Sequence, residues 1–237
     1  MRKMITVPAM LLVLAAGLVH ADTLLNTYSS WNGVESFSAF GNQGDATYGQ
    51  TFTVLTSDTT LANFSFWLQP VGSDPVAFTA YVAQWDAADG MATGPMLYTS
   101  SPQTLPGDST SFTEFDFNTG GVSLVEGEQY VAFLNASAEW GQTGYGDSSM
   151  AAMLSGATGH DSSTSHFVYD SNEADFSALT TSQWNGSDTF AGSDAAFKAD
   201  LTAGAGPGST PELPAAPLAL LGMACVGLAR SRRRAKA

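Results

Sequence analysis

The chain has 237 residues, 22 acidic against 8 basic, with a formal net charge of −14 and 44% hydrophobic residues. Between residues 22 and 212 lie all 22 acidic residues and a single basic one, Lys198. That balance excludes nucleic acid as a partner, because phosphate contacts require Lys and Arg, and it would repel an anionic polysaccharide.

In chain order, the first element is an export signal. Arg2 and Lys3 precede an apolar run over residues 10–19, and Val19-His20-Ala21 sets small residues at the two positions that a signal peptidase reads. Cleavage is expected after Ala21, leaving Asp22 as the mature N-terminus.

The body, residues 22–202, follows a period of two. In Ala62-Asn63-Phe64-Ser65-Phe66-Trp67-Leu68 one face takes Ala62, Phe64, Phe66 and Leu68, and Thr113-Glu114-Phe115-Asp116-Phe117 alternates aromatic with acid. Similar runs lie at 48–54, 76–85, 96–99, 122–125, 129–135, 166–169 and 195–201. Turn formers separate them, among them Pro70-Val71-Gly72-Ser73-Asp74-Pro75, Asp89-Gly90 and Pro106-Gly107-Asp108. Eight to ten short strands at this spacing predict an all-β protein, an antiparallel β-sandwich of jelly-roll type, with helices only in the N-terminal signal and a C-terminal hydrophobic segment. Residues 140–161 and 171–193 read as long loops with room for one strand each, and long loops are where binding usually resides. Residues 203–210, rich in Gly, Pro and Ser, form a linker.

Cys225, the sole cysteine, falls within the C-terminal segment. The body therefore has neither disulfide nor thiol nucleophile, and burial alone must hold it together. At about 180 residues a domain hides roughly 70% of its unfolded surface, and 14 Phe supply large apolar area.

The C-terminal segment has three parts: the signature Pro211-Glu212-Leu213-Pro214-Ala215, an apolar run over 216–229, and the basic residues Arg230, Arg232, Arg233, Arg234 and Lys236. The apolar part spans roughly 22 Å as a helix against a hydrocarbon core of about 30 Å, which suits transient insertion in the inner membrane. Its basic end would remain cytoplasmic. This order of parts resembles the PEP-CTERM class of bacterial sorting domains, particularly its VPLPA variant. Leu213-Pro214-Ala215 matches that variant, while Pro211-Glu212 follows the PEP form. The resemblance covers residues 211–237. It implies processing by an exosortase, a membrane cysteine transpeptidase, and delivery to the envelope or extracellular matrix of a Gram-negative, exopolysaccharide-producing bacterium. The segments 81–86, 92–98 and 129–134 are similar to ones in exported sandwich domains that carry such tails, and imply no activity.

Catalytic constellations are weak. There is no Gly-x-Ser-x-Gly elbow, no His-Glu-x-x-His helix and no phosphate-cradling loop. His160 and His166 lack the spacing of a helical ligand pair. Glu114 and Asp116 share one strand face and one environment, which does not split two carboxylates into acid and base. No catalytic residue is assigned. Asp86 with Asp89, and Glu173 with Asp175, are candidate oxygen ligands for calcium; no other cofactor is expected. Trp31, Trp85, Trp140 and Trp184 fall at expected loops or strand ends and are the candidate glycan-stacking residues, while Trp67 is assigned to the second side of its strand. The expectation is a non-enzymatic exported envelope or matrix protein with a polysaccharide partner; the alternative is a secreted carbohydrate-active enzyme using loop carboxylates.

Overall fold

The computed structural model describes residues 22–153, 165–186 and 192–204. The signal sequence with Ala21, His160, most of the linker and the whole C-terminal segment lie outside these residues. The chain divides into two units after Ala203, and the strands all belong to the first.

Among the described residues the strands are β1 (Thr23–Asn26), β2 (Ser36–Gly41), β3 (Thr47–Thr53), β4 (Thr60–Val71), β5 (Val76–Asp86), β6 (Met91–Thr99) and β7 (Gln103–Leu105). They continue with β8 (Thr113–Ser123), β9 (Gln129–Asn135), β10 (Asp147–Met153), β11 (Phe167–Asp170), β12 (Asp194–Ala195) and β13 (Phe197–Thr202). Two antiparallel sheets result. One holds β1, β13, β4, β10 and β12, with β2 on β10 and β8 on β4; the other runs β11-β3-β9-β5-β6, with β7 on β5. From β2 to β12 the chain changes sheet at nearly every connection, which is the winding of a jelly roll. No helix among the described residues is long and apolar enough to cross a membrane.

The 12-residue β4 organises the first sheet. One of its edges pairs with β8; the other pairs with β13 along its first half and β10 along its second. Phe64, Phe66 and Leu68 point inward and are fully buried. The expected alternation holds over these residues and fails at Ala62. A bulge in the ladder opposite β8, between Leu61 and Asn63, turns Leu61 inward in its place. The run at 122–125 is likewise no separate strand: Val122 and Ser123 end β8, which passes through Gly120 and Gly121, and Leu124 and Val125 follow it.

Aromatic pairs join the two sheets across the core: Phe37 stacks on Phe167 with ring centres 3.8 Å apart, Phe78 meets Phe115 at 5.0 Å, and Phe52 meets Phe197 at 6.0 Å. Each such pair adds about 0.5–1.5 kcal/mol beyond the area it buries. In a body without disulfides these contacts substitute for covalent bridges.

A second apolar layer covers the outer face of the second sheet. Residues 171–186 lie over it, with a short 3-10 helix at Phe176–Thr180, and they bury Leu179 and Trp184 against Ala83, Trp85, Val131, Phe133 and Val168. Asn172 anchors the start of the segment: its side-chain amide donates to Ser137 Oγ at 2.8 Å and accepts from Thr47 Oγ1 at 2.7 Å. Asn135 Nδ2 closes the network on Thr47 and Ser137 at 2.8 and 2.9 Å. Buried and fully paired, such groups impose little cost and fix one register. The far end is tied by Trp184 N–H donating to Gly90 O, and Gly186 N–H to Tyr169 O. A Cβ at Gly186 would run into the Tyr169 ring, so only glycine fits there.

Trp184→Ala is expected to cost about 3–5 kcal/mol in urea unfolding, because it empties the middle of this layer. A loss below about 1 kcal/mol, the size of an ordinary surface change, would show that residues 171–186 are not a structural layer.

Candidate functional site

The outer face of the first sheet carries a groove of about 490 Å³. Its floor begins with Trp67, which points outward from β4 opposite Glu114 of β8. The indole lies over Ala151 of β10 and Ala196, between β12 and β13, where only small side chains leave it room. Ala196 N–H donates to Ala151 O at 2.7 Å, holding those two strands together beneath it.

Three further aromatics build the walls. Tyr28, in the 3-10 turn Tyr28–Ser30 after β1, stacks on Trp67 with centres 3.9 Å apart. Trp31 meets Phe112 edge-on at 4.9 Å. Side-chain amides shape the loop that presents them: Asn26 Oδ1 accepts from Ser29 N–H, and Asn32 Oδ1 from Val34 and Glu35 N–H, all at 3.0 Å. Trp31 Nε1 donates to Glu35 O at 2.8 Å, so its polar edge is satisfied within the loop while its ring stays partly exposed. Gln69, Thr110 and Ser111 supply the polar rim.

Lys198 closes one side of the cluster. Its ammonium stands 4.5 Å from the Tyr28 ring centre, 4.8 Å from that of Trp67 and 3.9 Å from Glu114 Oε1. With both charged side chains well exposed to water, the ion pair is worth at most about 1 kcal/mol. The two ring contacts contribute a similar amount, so Lys198 binds the turn to the sheet as much through the rings as through charge.

Chemically this is a stacking surface. Ring faces match the C–H faces of pyranose sugars, and neutral amide and hydroxyl groups match their hydroxyls. The residues lining the groove include no carboxylate, histidine or cysteine.

Of the four tryptophans expected to stack on glycans, Trp31 alone lines this groove. Trp85 and Trp184 are corrected: they are 4% and 1% exposed and pack edge-on at 5.2 Å within the second layer. They were expected at loops or strand ends: Trp85 does stand near the end of β5, and the segment carrying Trp184 folds back over it as a cover. Trp140 is partly exposed after the Ser137–Glu139 turn and does not line the groove. Tyr28, Phe112, Gln69 and Lys198 were not anticipated. For Phe112 the signal was its place one residue before the alternating run 113–117. Tyr28 carried none, because its position depends on the turn after β1.

Of the carboxylates considered for calcium, Asp86 and Asp175 serve local structure. Asp86 Oδ1 accepts from Ala88 and Asp89 N–H at 2.9 and 3.1 Å, shaping the turn into β6, and Asp89 itself is exposed. Asp175 caps the short helix by accepting from Ser177 N–H at 3.0 Å and Ser177 Oγ at 2.6 Å; Glu173 is exposed. Among the described residues no three His, Cys, Asp or Glu side chains gather around a metal position. Glu114 and Asp116 lie on the outer face, beside Lys198 and Ser65 respectively. His166, at the start of β11, donates its N–H to Thr51 Oγ1 at 3.0 Å.

No family model matches the chain, and no curated protein matches it. Two solved structures of Cwp84 share some of its shape. The cysteine protease Cwp84 after propeptide cleavage, a clostridial protein, superposes with a TM-score of 0.47 at 13% identity, over 73% of this chain and 38% of that one. The cysteine protease and lectin-like domains of Cwp84, a surface layer associated protein of Clostridium difficile, give 0.40 at 14% identity, over 67% and 32%. The chain thus spans about a third of those structures, and neither likeness bears on its function.

Two neighbouring aspartates make an internal pH test. Burial pushes the Asp170 carboxyl above its ordinary range, whereas the Ser177 hydroxyl and N–H hold Asp175 below it. A raised carboxyl means that the folded state holds its proton more tightly. Asp170 therefore weakens the fold as pH rises through its folded pKa, and the penalty vanishes at acid pH. Asp175 stabilises above its unfolded pKa and loses that contribution as pH falls. Asp170→Asn is expected to raise stability at neutral pH and leave it unchanged at acid pH, as read by thermal melts. A gain that persists at acid pH would contradict the assignment.

Proposed function

We propose that this is an exported, non-enzymatic protein of the cell envelope or exopolysaccharide matrix, and that its sandwich binds glycan through the groove of Tyr28, Trp31, Trp67 and Phe112. The observation that carries the reading is the set of partly exposed rings of Tyr28, Trp31 and Phe112 around the buried Trp67, with a neutral polar rim and no carboxylate or histidine among the lining residues. The export signal ending at Ala21 and the sorting signature Pro211-Glu212-Leu213-Pro214-Ala215 support delivery by signal peptidase and an exosortase. The acidic body supports a role among neutral or cationic matrix polymers.

Titration of the full chain against a panel of oligosaccharides is expected to show binding without turnover. Trp31→Ala should weaken it roughly tenfold, about 1.4 kcal/mol, and Trp85→Phe should leave it unchanged. Turnover of any glycan would instead favour the enzyme reading. Intact-mass measurement of cell-associated and secreted forms should find a species that starts at Asp22 and lacks Cys225 with the Arg-rich end. Retention of that end in every form would overturn the sorting proposal.

A further inference from the structure

We infer that the groove's ligand is a polysaccharide of amino sugars that carry free ammonium groups, an inference that rests on the glycan-binding reading above. The surface already holds an ammonium: Lys198 Nζ is set against the Tyr28 and Trp67 rings and beside Glu114. Electron-rich ring faces and a carboxylate in the same patch are what a protonated sugar amine requires.

The charges around the groove favour the same class. At physiological ionic strength only charges within about 8 Å act strongly, so the local ones decide. On the outer face β8 presents Glu114, opposite Trp67, and Asp116 two residues further on, with the single Lys198 beside Glu114. Phe112 of the groove wall lies just before β8, two residues ahead of Glu114, roughly 6.7 Å along an extended chain. A sugar stacked on Phe112 and Trp31 therefore has a carboxylate within reach of its substituents. A neutral sugar would gain the stacking alone, and a uronic acid would meet Glu114 and Asp116 with like charge.

Calorimetric titration of the full chain with glucosamine hexamer, N-acetylglucosamine hexamer and a galacturonate oligomer tests this at mildly acid pH, where the amines are protonated. The glucosamine oligomer should bind roughly tenfold more tightly than its acetylated counterpart at low salt, and the advantage should shrink in about 0.5 M salt. Glu114→Gln, at an exposed position, should weaken glucosamine binding about two- to fivefold and leave the acetylated oligomer unaffected. Equal or tighter binding of the acetylated or the acidic oligomer would overturn the inference while leaving the groove a glycan site. Glucosamine binding that survives Trp31→Ala undiminished would overturn it as diffuse charge adsorption. Absence of binding to every oligosaccharide would overturn both this inference and the proposal beneath it.

Discussion

The molecule depends on the two-sidedness of β4. Its inward residues Phe64, Phe66 and Leu68 fill the sandwich core, and its outward residues Trp67 and Gln69 line the groove. The same pleat turns one set to the core and the other to the opposite face, so core and groove are fixed in register to each other. A one-residue slip of β4 against β8 would carry Trp67 into the core and Phe66 out of it. Pairing on both edges, by β8 and by β13 with β10, makes such a slip costly.

That arrangement explains how a groove stands on a sheet face rather than in a loop. Trp67 needs a flat bed, which Ala151 and Ala196 provide, and it needs a cover, which Tyr28 provides. Lys198 then holds the cover down. The walls gain rigidity from the loop's own hydrogen bonds, with Asn26 and Asn32 committing their side chains to backbone N–H groups. A stacking surface organised beforehand loses less entropy on binding, which matters where the ligand itself is a flexible polymer.

The period-two pattern made the sandwich legible, since Phe64, Phe66 and Leu68, and then Phe115 and Phe117, recur at every second position and the turns between runs carry Gly, Pro and Asp. Ladder irregularities were not legible: the bulges by Leu61 and Leu201 arise from pairing with partners far away in sequence. β2, with Ser and Gly among its residues, lacks the apolar run that would mark it, and it pairs β10 from over 100 positions away. The site was half legible. Trp31 was found by residue type, and Trp67 was placed on the second side of its strand. Trp85 and Trp184 misled because a tryptophan near a turn reads alike whether solvent or a folded-back segment covers it. Asn172, which anchors that segment, looks in the sequence like any loop asparagine. Its burial is set by Asn135 and Ser137 from β9 and the turn after it.

The central claim is that one aromatic groove, and no other tryptophan of the body, reads the ligand. The chain has five tryptophans, so five indole N–H resonances report on it directly. In a titration of the 15N-labelled protein with a saturating oligosaccharide, the account predicts shifts for Trp31 and Trp67 and still signals for Trp85, Trp184 and Trp140. Shifts centred on Trp140, or on the Trp85 and Trp184 pair, with Trp31 unmoved, would contradict it.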